Sequence, residues 1–264
     1  MLFQGNDMEG SMGLFPPTMF NMMANRYREE NGISKEDLRR YMSLVSVKNR
    51  FHGSLNPNAT FQKPTTLEDV ENSIMIADPI RLLDCCPEPD GCAVAILASE
   101  KVARRYTTKP VYVAASTQTS GIPSGDSALD YIDMNQRALK EAYEFSGIGH
   151  EDIDVAQVHD CFTIAEILWC EAIGFAKPGE YGKLLEKGEF SLGGKLPVNT
   201  DGGLLSKGHP LGATGVGQIA EIVFQLRGEA GKRQVEGATV GLCQNEGGLY
   251  KGAMGNTSIT ILKK

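Results

Sequence analysis

The chain contains no run of about 18 apolar residues, so no membrane span is expected. It has no Cys-x-x-Cys. Cys85 and Cys86 are adjacent, Cys92 stands alone after Gly91, and no spacing fits a zinc site, so no metal is expected. Six cysteines in 264 residues do not form a disulfide framework, which points to a reducing cytoplasm. No basic stripe is present. Lys and Arg number 26 against 33 Asp and Glu, for a net charge of −7, which argues against a nucleic-acid surface. "KNRFH" (48–52) and "GKRQ" (231–234) read as solvated rims, although an acidic total still permits a local basic mouth for a phosphorylated ligand. "MLFQGNDMEG" lacks the charged-then-apolar layout of a secretion signal, and "ITILKK" is no peroxisomal address. There is no repeat of fixed period and no low-complexity linker.

The remaining composition, 41% hydrophobic and 22% charged, is that of one large or two smaller globular domains. Residues 1–90 are rich in Met, Asn and Arg. The spacing of Met19, Phe20, Met23 and Tyr27 predicts a helix over 16–32, stopped by Gly32. Ser34 and Asp37 open a second helix over 34–51, with Leu38, Tyr41, Met42 and Val45 on one face. A third short helix is expected in 66–76. From residue 91 strands and helices alternate. Strands are expected at 92–99, 111–117, 153–160, 237–243 and 257–263, and helices at 134–148, 162–175 and 212–231. This alternation implies an α/β protein with a mixed or parallel sheet covered by helices.

Three stretches could carry chemistry. In "NTDGGLLSKGHPLGATGVGQ" (199–218) the glycines allow close backbone approach, and a helix follows whose first amides point to the same place. His209, between Gly208 and Gly212, could there share a proton or donate to a developing oxyanion. The other reading is a glycine-rich turn with an incidental histidine. No Gly-Lys-Ser/Thr follows, so the stretch is not a phosphate loop, and no clear strand precedes it, so it is not a dinucleotide fingerprint. In "VHDCFT" (158–163) a strand ends at His159, where open α/β sheets bind ligands, and Asp160 or Thr163 could cap the next helix. His159 could equally just close the turn. Cys161 could be a helix-terminal thiolate or a small buried residue. In "GLCQNEGGLYKGAMG" (241–255), Cys243, Gln244, Asn245 and Glu246 stand where a strand meets a glycine-rich loop. A thiol there could act as acid or base, or the loop could be a wide turn between the last two strands.

Taken together, "GHPLGATG" (208–215), "HDCF" (159–162), "RGEAGKRQV" (227–235) and the strand–Cys–Gln–Asn–glycine ending resemble the thiolase superfamily, most of all its sterol-carrier-protein branch. The resemblance is strong over 79–264 and looser before that. It implies a layered αβαβα fold, with 1–90 as the loop domain that covers the substrate, 91–107 as the last strand and helix of an N-terminal half, and 108–264 as the C-terminal domain. It implies acyl transfer between coenzyme A and a carbon nucleophile, by 3-ketoacyl-CoA thiolysis or Claisen condensation. CoA is then a substrate, and no cofactor is covalently bound. The Gly-His-Pro histidine, which activates the nucleophile and holds the thioester oxygen, maps to His209. The second oxyanion donor maps to His159, beside Asp160.

The sequence departs from the family pattern twice. The late acid/base position falls on Gln244, with Cys243 one place earlier, and a glutamine cannot take a proton at neutral pH. No cysteine sits in the family's nucleophile context, and Cys85 and Cys86 match a stretch that closes the loop domain. The expectation is therefore a fragment or one part of a split enzyme, completed by an N-terminal half or by self-association through the apolar 92–99 edge. The resemblance also implies, as alternatives, an aldolase acting on a CoA thioester or a non-catalytic subunit binding acyl-CoA. A small zinc-ribbon and oligonucleotide-binding-fold protein is a possible partner. Arg39, Arg40, Lys48 and Arg50 are candidates for the nucleotide end of CoA.

Overall fold

The computed structural model describes residues 15–121, 131–250 and 253–264. Two helices lead. Helix α1 (Pro16–Glu30) starts on a proline pair, whose fixed φ suits a first turn. Helix α2 (Lys35–Ser54) is capped by Ser34, whose hydroxyl accepts from the Asp37 amide. The 66–76 stretch divides into α3 (Leu67–Glu71), ended by Asn72, and strand β1 (Met75–Ala77), which forms a two-stranded ribbon with β2 (Ile80–Arg81).

The main sheet contains β3 (Tyr112–Ser120), β4 (Val155–Gln157), β5 (Val240–Tyr250) and β6 (Ala253–Lys263), in the order β3-β6-β5-β4. It is mixed: β4 runs parallel to β5, and the other pairs are antiparallel. Between the strands come α4 (Glu100–Ala103), α5 (Tyr131–Ser146), α6 (Thr163–Ala172), α7 (Tyr181–Glu186), α8 (Gly203–Ser206) and α9 (Thr214–Arg227), which ends on the left-handed Gly228. Strand alternation divides the core. Leu242, Ile259 and Ile261 face the cluster built by α1, α2, α5 and α6, while Cys243 and Leu262 face Ile222 and Leu226 of α9.

The structure differs from the sequence reading in two stretches. Residues 92–99 form no strand, and Val94, Ile96 and Leu97 are 78%, 90% and 83% exposed. Apolar β-branched composition fits a strand, but a strand also needs a neighbour for its amides and carbonyls, and none among the described residues lies beside it. The 241–255 stretch is not a loop after Cys243. β5 continues to Tyr250 because β6 pairs with it residue by residue through Glu246↔Thr257 and beyond. Residues 251 and 252 lie outside the described residues.

Candidate active site

β4 ends one residue before Val158, and the parallel register Gln157↔Cys243 carries His159 alongside Asn245. Local hydrogen bonds hold that turn. Asn199 Oδ1 accepts from the Val158 amide at 2.9 Å, Gln244 Oε1 accepts from the His159 amide at 3.0 Å, and Trp169 Nε1 donates to the His159 carbonyl at 2.9 Å. Gln244 Nε2 donates to Asn135 Oδ1 at 3.1 Å. Both ends of the glutamine amide are therefore engaged in placing β4 and α5.

His209 follows α8 by a turn that needs glycine. Gly208 has φ of +112°, and a Cβ there would stand 2.6 Å from Pro89 Cγ and 2.7 Å from Thr60 Oγ1. The His209 amide donates to the Pro87 carbonyl at 3.0 Å. A Cβ on Gly212 would meet nothing within 4 Å. Asp160 is fully buried and connects the two histidine turns. It accepts from the Leu204 amide of α8 at 2.7 Å and from Asn49 Nδ2 of α2 at 2.8 Å. Neither Asp160 nor Thr163 caps α6. Phe162 is the cap residue, and Thr163 Oγ1 donates to Asp84 Oδ1. Burial, with the Glu166 charge nearby, raises the Asp160 carboxyl well above the usual range.

The His159 and His209 rings meet edge to face, centroids 4.9 Å apart at 87°. Burial lowers both, His159 to about 4 and His209 to about 3, so both imidazoles are neutral. The Thr214 hydroxyl donates to the Pro210 carbonyl and so accepts from His209 Nδ1, at 2.7 Å. Asn245 Oδ1 accepts from His159 Nδ1 at 2.7 Å. With their protons on Nδ1, both rings keep Nε2 as an acceptor. The two histidines and Asn245 line a cleft of about 570 Å³ with Phe20 of α1, Phe162 and Glu246. Phe20 stacks on Phe162 at 4.6 Å, which fixes α1 as its cover.

Cys243 and the four candidate cations lie elsewhere. Cys243 is buried against α9, and burial pushes its thiol up. Cys161, Cys85 and Cys86 do line the cleft, but burial raises all three, Cys85 to about 12. Arg39 makes a two-pronged pair with Asp84 at 2.6 and 2.7 Å. Arg40 pairs with Glu186, and Arg50 lies 3.8 Å over the Phe61 ring. Lys48 is buried against Glu166 and the Val198 carbonyl. None of these four cations lines the cleft. Among the described residues, no three His, Cys, Asp or Glu side chains gather as a metal site, and no helix is long and apolar enough to cross a membrane. The sequence placed Glu246 at the strand–loop junction and Phe20 on a helix face but gave neither, nor Thr214, a part in the site. For Glu246 a signal was available: an acidic residue two positions past Gln244 shares its strand face.

A mixed sheet with helices on both faces, and two neutral imidazoles converging on one cleft where β4 ends and the α8–α9 turn begins, define an α/β protein with a candidate site at the sheet end. A family model described as thiolase C-terminal domain-like matches residues 117–264, and the chain belongs to that family. The acetyl-CoA acetyltransferase of Methanothermobacter thermautotrophicus is 47% identical over 91% of this chain, which spans 62% of that protein. Sterol carrier protein 2 of Bos taurus is 41% identical over 91% of this chain, which spans 46% of it. The solved Ltp2-ChsH2(DUF35) aldolase superposes with a TM-score of 0.82 at 31% identity, covering 100% of this chain and 69% of that one.

Proposed function

We propose that the cleft breaks or makes a carbon–carbon bond beside the thioester of an acyl-CoA, as a thiolase-type C-acyltransferase. The 4.9 Å contact of two neutral imidazoles inside one largely apolar cleft carries this reading. His209 Nε2 takes the proton of the attacking thiol. The imidazolium that results then donates to the oxyanion formed at the attacked carbonyl. The C2–C3 bond breaks, and its electron pair leaves on C2 as the thioester enolate. His159 and Asn245 border the same space. The thiols lining the cleft are held protonated by burial. In this reading the attacking sulfur is that of CoA itself or of a segment outside this cleft. Residues 1–90 supply the cover through Met19 and Phe20, and the part after residue 108 supplies the floor.

A second reading, an aldolase acting on a 3-hydroxyacyl-CoA, is favoured by the likeness to the solved aldolase over the whole chain. It needs no thiol, because an imidazole Nε2 takes the hydroxyl proton as C2–C3 opens. That aldolase is named together with a DUF35 partner, which supports a second polypeptide for this chain as well.

The test is to incubate the chain with acetoacetyl-CoA and free CoA and to follow loss of the ketoacyl thioester. His209→Ala is expected to lower the rate by about 10²-fold or more with an unchanged melting curve. Aldehyde release from a 3-hydroxyacyl-CoA, independent of free CoA, would replace the first reading with the second. Tight acyl-CoA binding without either reaction would overturn both in favour of a binding subunit.

A further inference from the structure

Glu246 stands on β5 opposite Thr257, two residues beyond Gln244. It is 4% exposed, and neither carboxyl oxygen has a hydrogen-bond partner among the described residues. An unpartnered buried carboxyl is costly, and folds keep such groups at functional sites. Gln157 is also buried without partners, but it does not line the cleft. Glu246 does, together with His159, His209 and Asn245. Cys243 packs under α9 and the Gln244 amide is engaged at both ends, so neither residue at the expected late position is free to move a proton into the cleft.

We propose that Glu246 is the proton carrier of this cleft, exchanging the α-proton of a CoA-linked acyl group. The inference rests on the acyl-CoA reading above. When the C2–C3 bond opens, the enolate carbon takes the carboxyl proton of Glu246, a C2–H bond forms, and Glu246 is left as carboxylate. In the reverse direction the carboxylate takes the proton from C2, and the C–H electron pair passes into the enolate. Burial holds the Glu246 carboxyl well above the usual range, which keeps it a donor in the resting cleft. The titratable groups facing the same space are Cys85, Cys86, Glu88, His159, Cys161 and His209, and no Lys or Arg lines it.

The test reads the half-reaction alone. The full chain is mixed with acetyl-CoA in heavy water, and deuterium entering the acyl methyl is followed by mass spectrometry, with acetyl-CoA binding measured in parallel. Wild type is expected to exchange, faster as pH rises through the Glu246 titration. Glu246→Gln is expected to lose about 10²-fold or more and to lose that pH dependence while still binding. Should Glu246→Gln fold poorly, Glu246→Asp supplies the second variant, and partial exchange with a shifted pH profile is expected. Exchange that persists in Glu246→Gln with the wild-type profile overturns the role of Glu246 and leaves the acyl-CoA reading standing. So does wild type that binds without exchange, or Glu246→Asp with unaltered exchange and pH profile. A wild-type chain that neither binds nor exchanges overturns the acyl-CoA reading and this inference with it.

Discussion

Lys48 and Glu166 show how strongly single residues fix this interior. Their side chains are 4% and 0% exposed and 3.0 Å apart, and Asn49, Asn199 and Tyr181 bond to the same carboxylate or its neighbours. A buried pair contributes little over a well-packed apolar substitute, but removing one partner leaves a charge stranded. Lys48→Met is expected to cost about 3–5 kcal/mol in a denaturant melt. Lys48→Met with Glu166→Gln together should recover part of that loss, because the orphaned charge is gone. The lowered imidazoles belong to the same scale. His52, buried with Nδ1 bonded to the Asn199 carbonyl, falls to about 3. For His52, His159 and His209 the unfolded chain binds a proton below the ordinary value of 6.5 and the folded chain does not, so each weakens the fold as pH falls from there.

At the scale of elements, helix contacts place the cover over the sheet. α2 crosses α7 so closely that a Cβ on Gly182 would lie 2.2 Å from the Tyr41 ring, which is itself 5% exposed. In an exposed helix Gly→Ala stabilises by up to about 1 kcal/mol. Here the clash falls on the root of a packed ring, and overpacking costs about 1–3 kcal/mol. Gly182→Ala is therefore expected to lower the urea midpoint, and a rise would show that α2 and α7 separate freely. The β4–β5 parallel register acts at this scale too. It sets His159 opposite Asn245 and, through the two-residue alternation of β5, turns Gln244 and Glu246 one way and Cys243 the other.

For the molecule as a whole, the exposed apolar 92–99 segment is the feature least suited to water. Val94 and Leu97 flank a hollow shared with Val216, Ile219 and Leu262, and Ile96 is exposed beside them. Sedimentation velocity should show concentration-dependent association, which Val94→Ser, Ile96→Ser and Leu97→Ser together reduce without changing the melt. A wild-type chain that stays monomeric at every concentration would remove this surface from the account. Helices α1, α2, α5, α6 and α9, most of the strands and the two histidine turns were legible in the sequence. Periodicity and capping residues such as Ser34 act within a few neighbours, and those interactions are written in local order. The sequence offered Arg39 and Lys48 for CoA and Gln244 for the late position but could not show the structural bonds they make, because their partners lie 45, 118 and 85 residues away, at Asp84, Glu166 and the His159 amide. Nor could it bring Glu246 into the cleft or leave 92–99 unpaired. Those outcomes follow from strand pairing and burial, which exist only once distant segments have met.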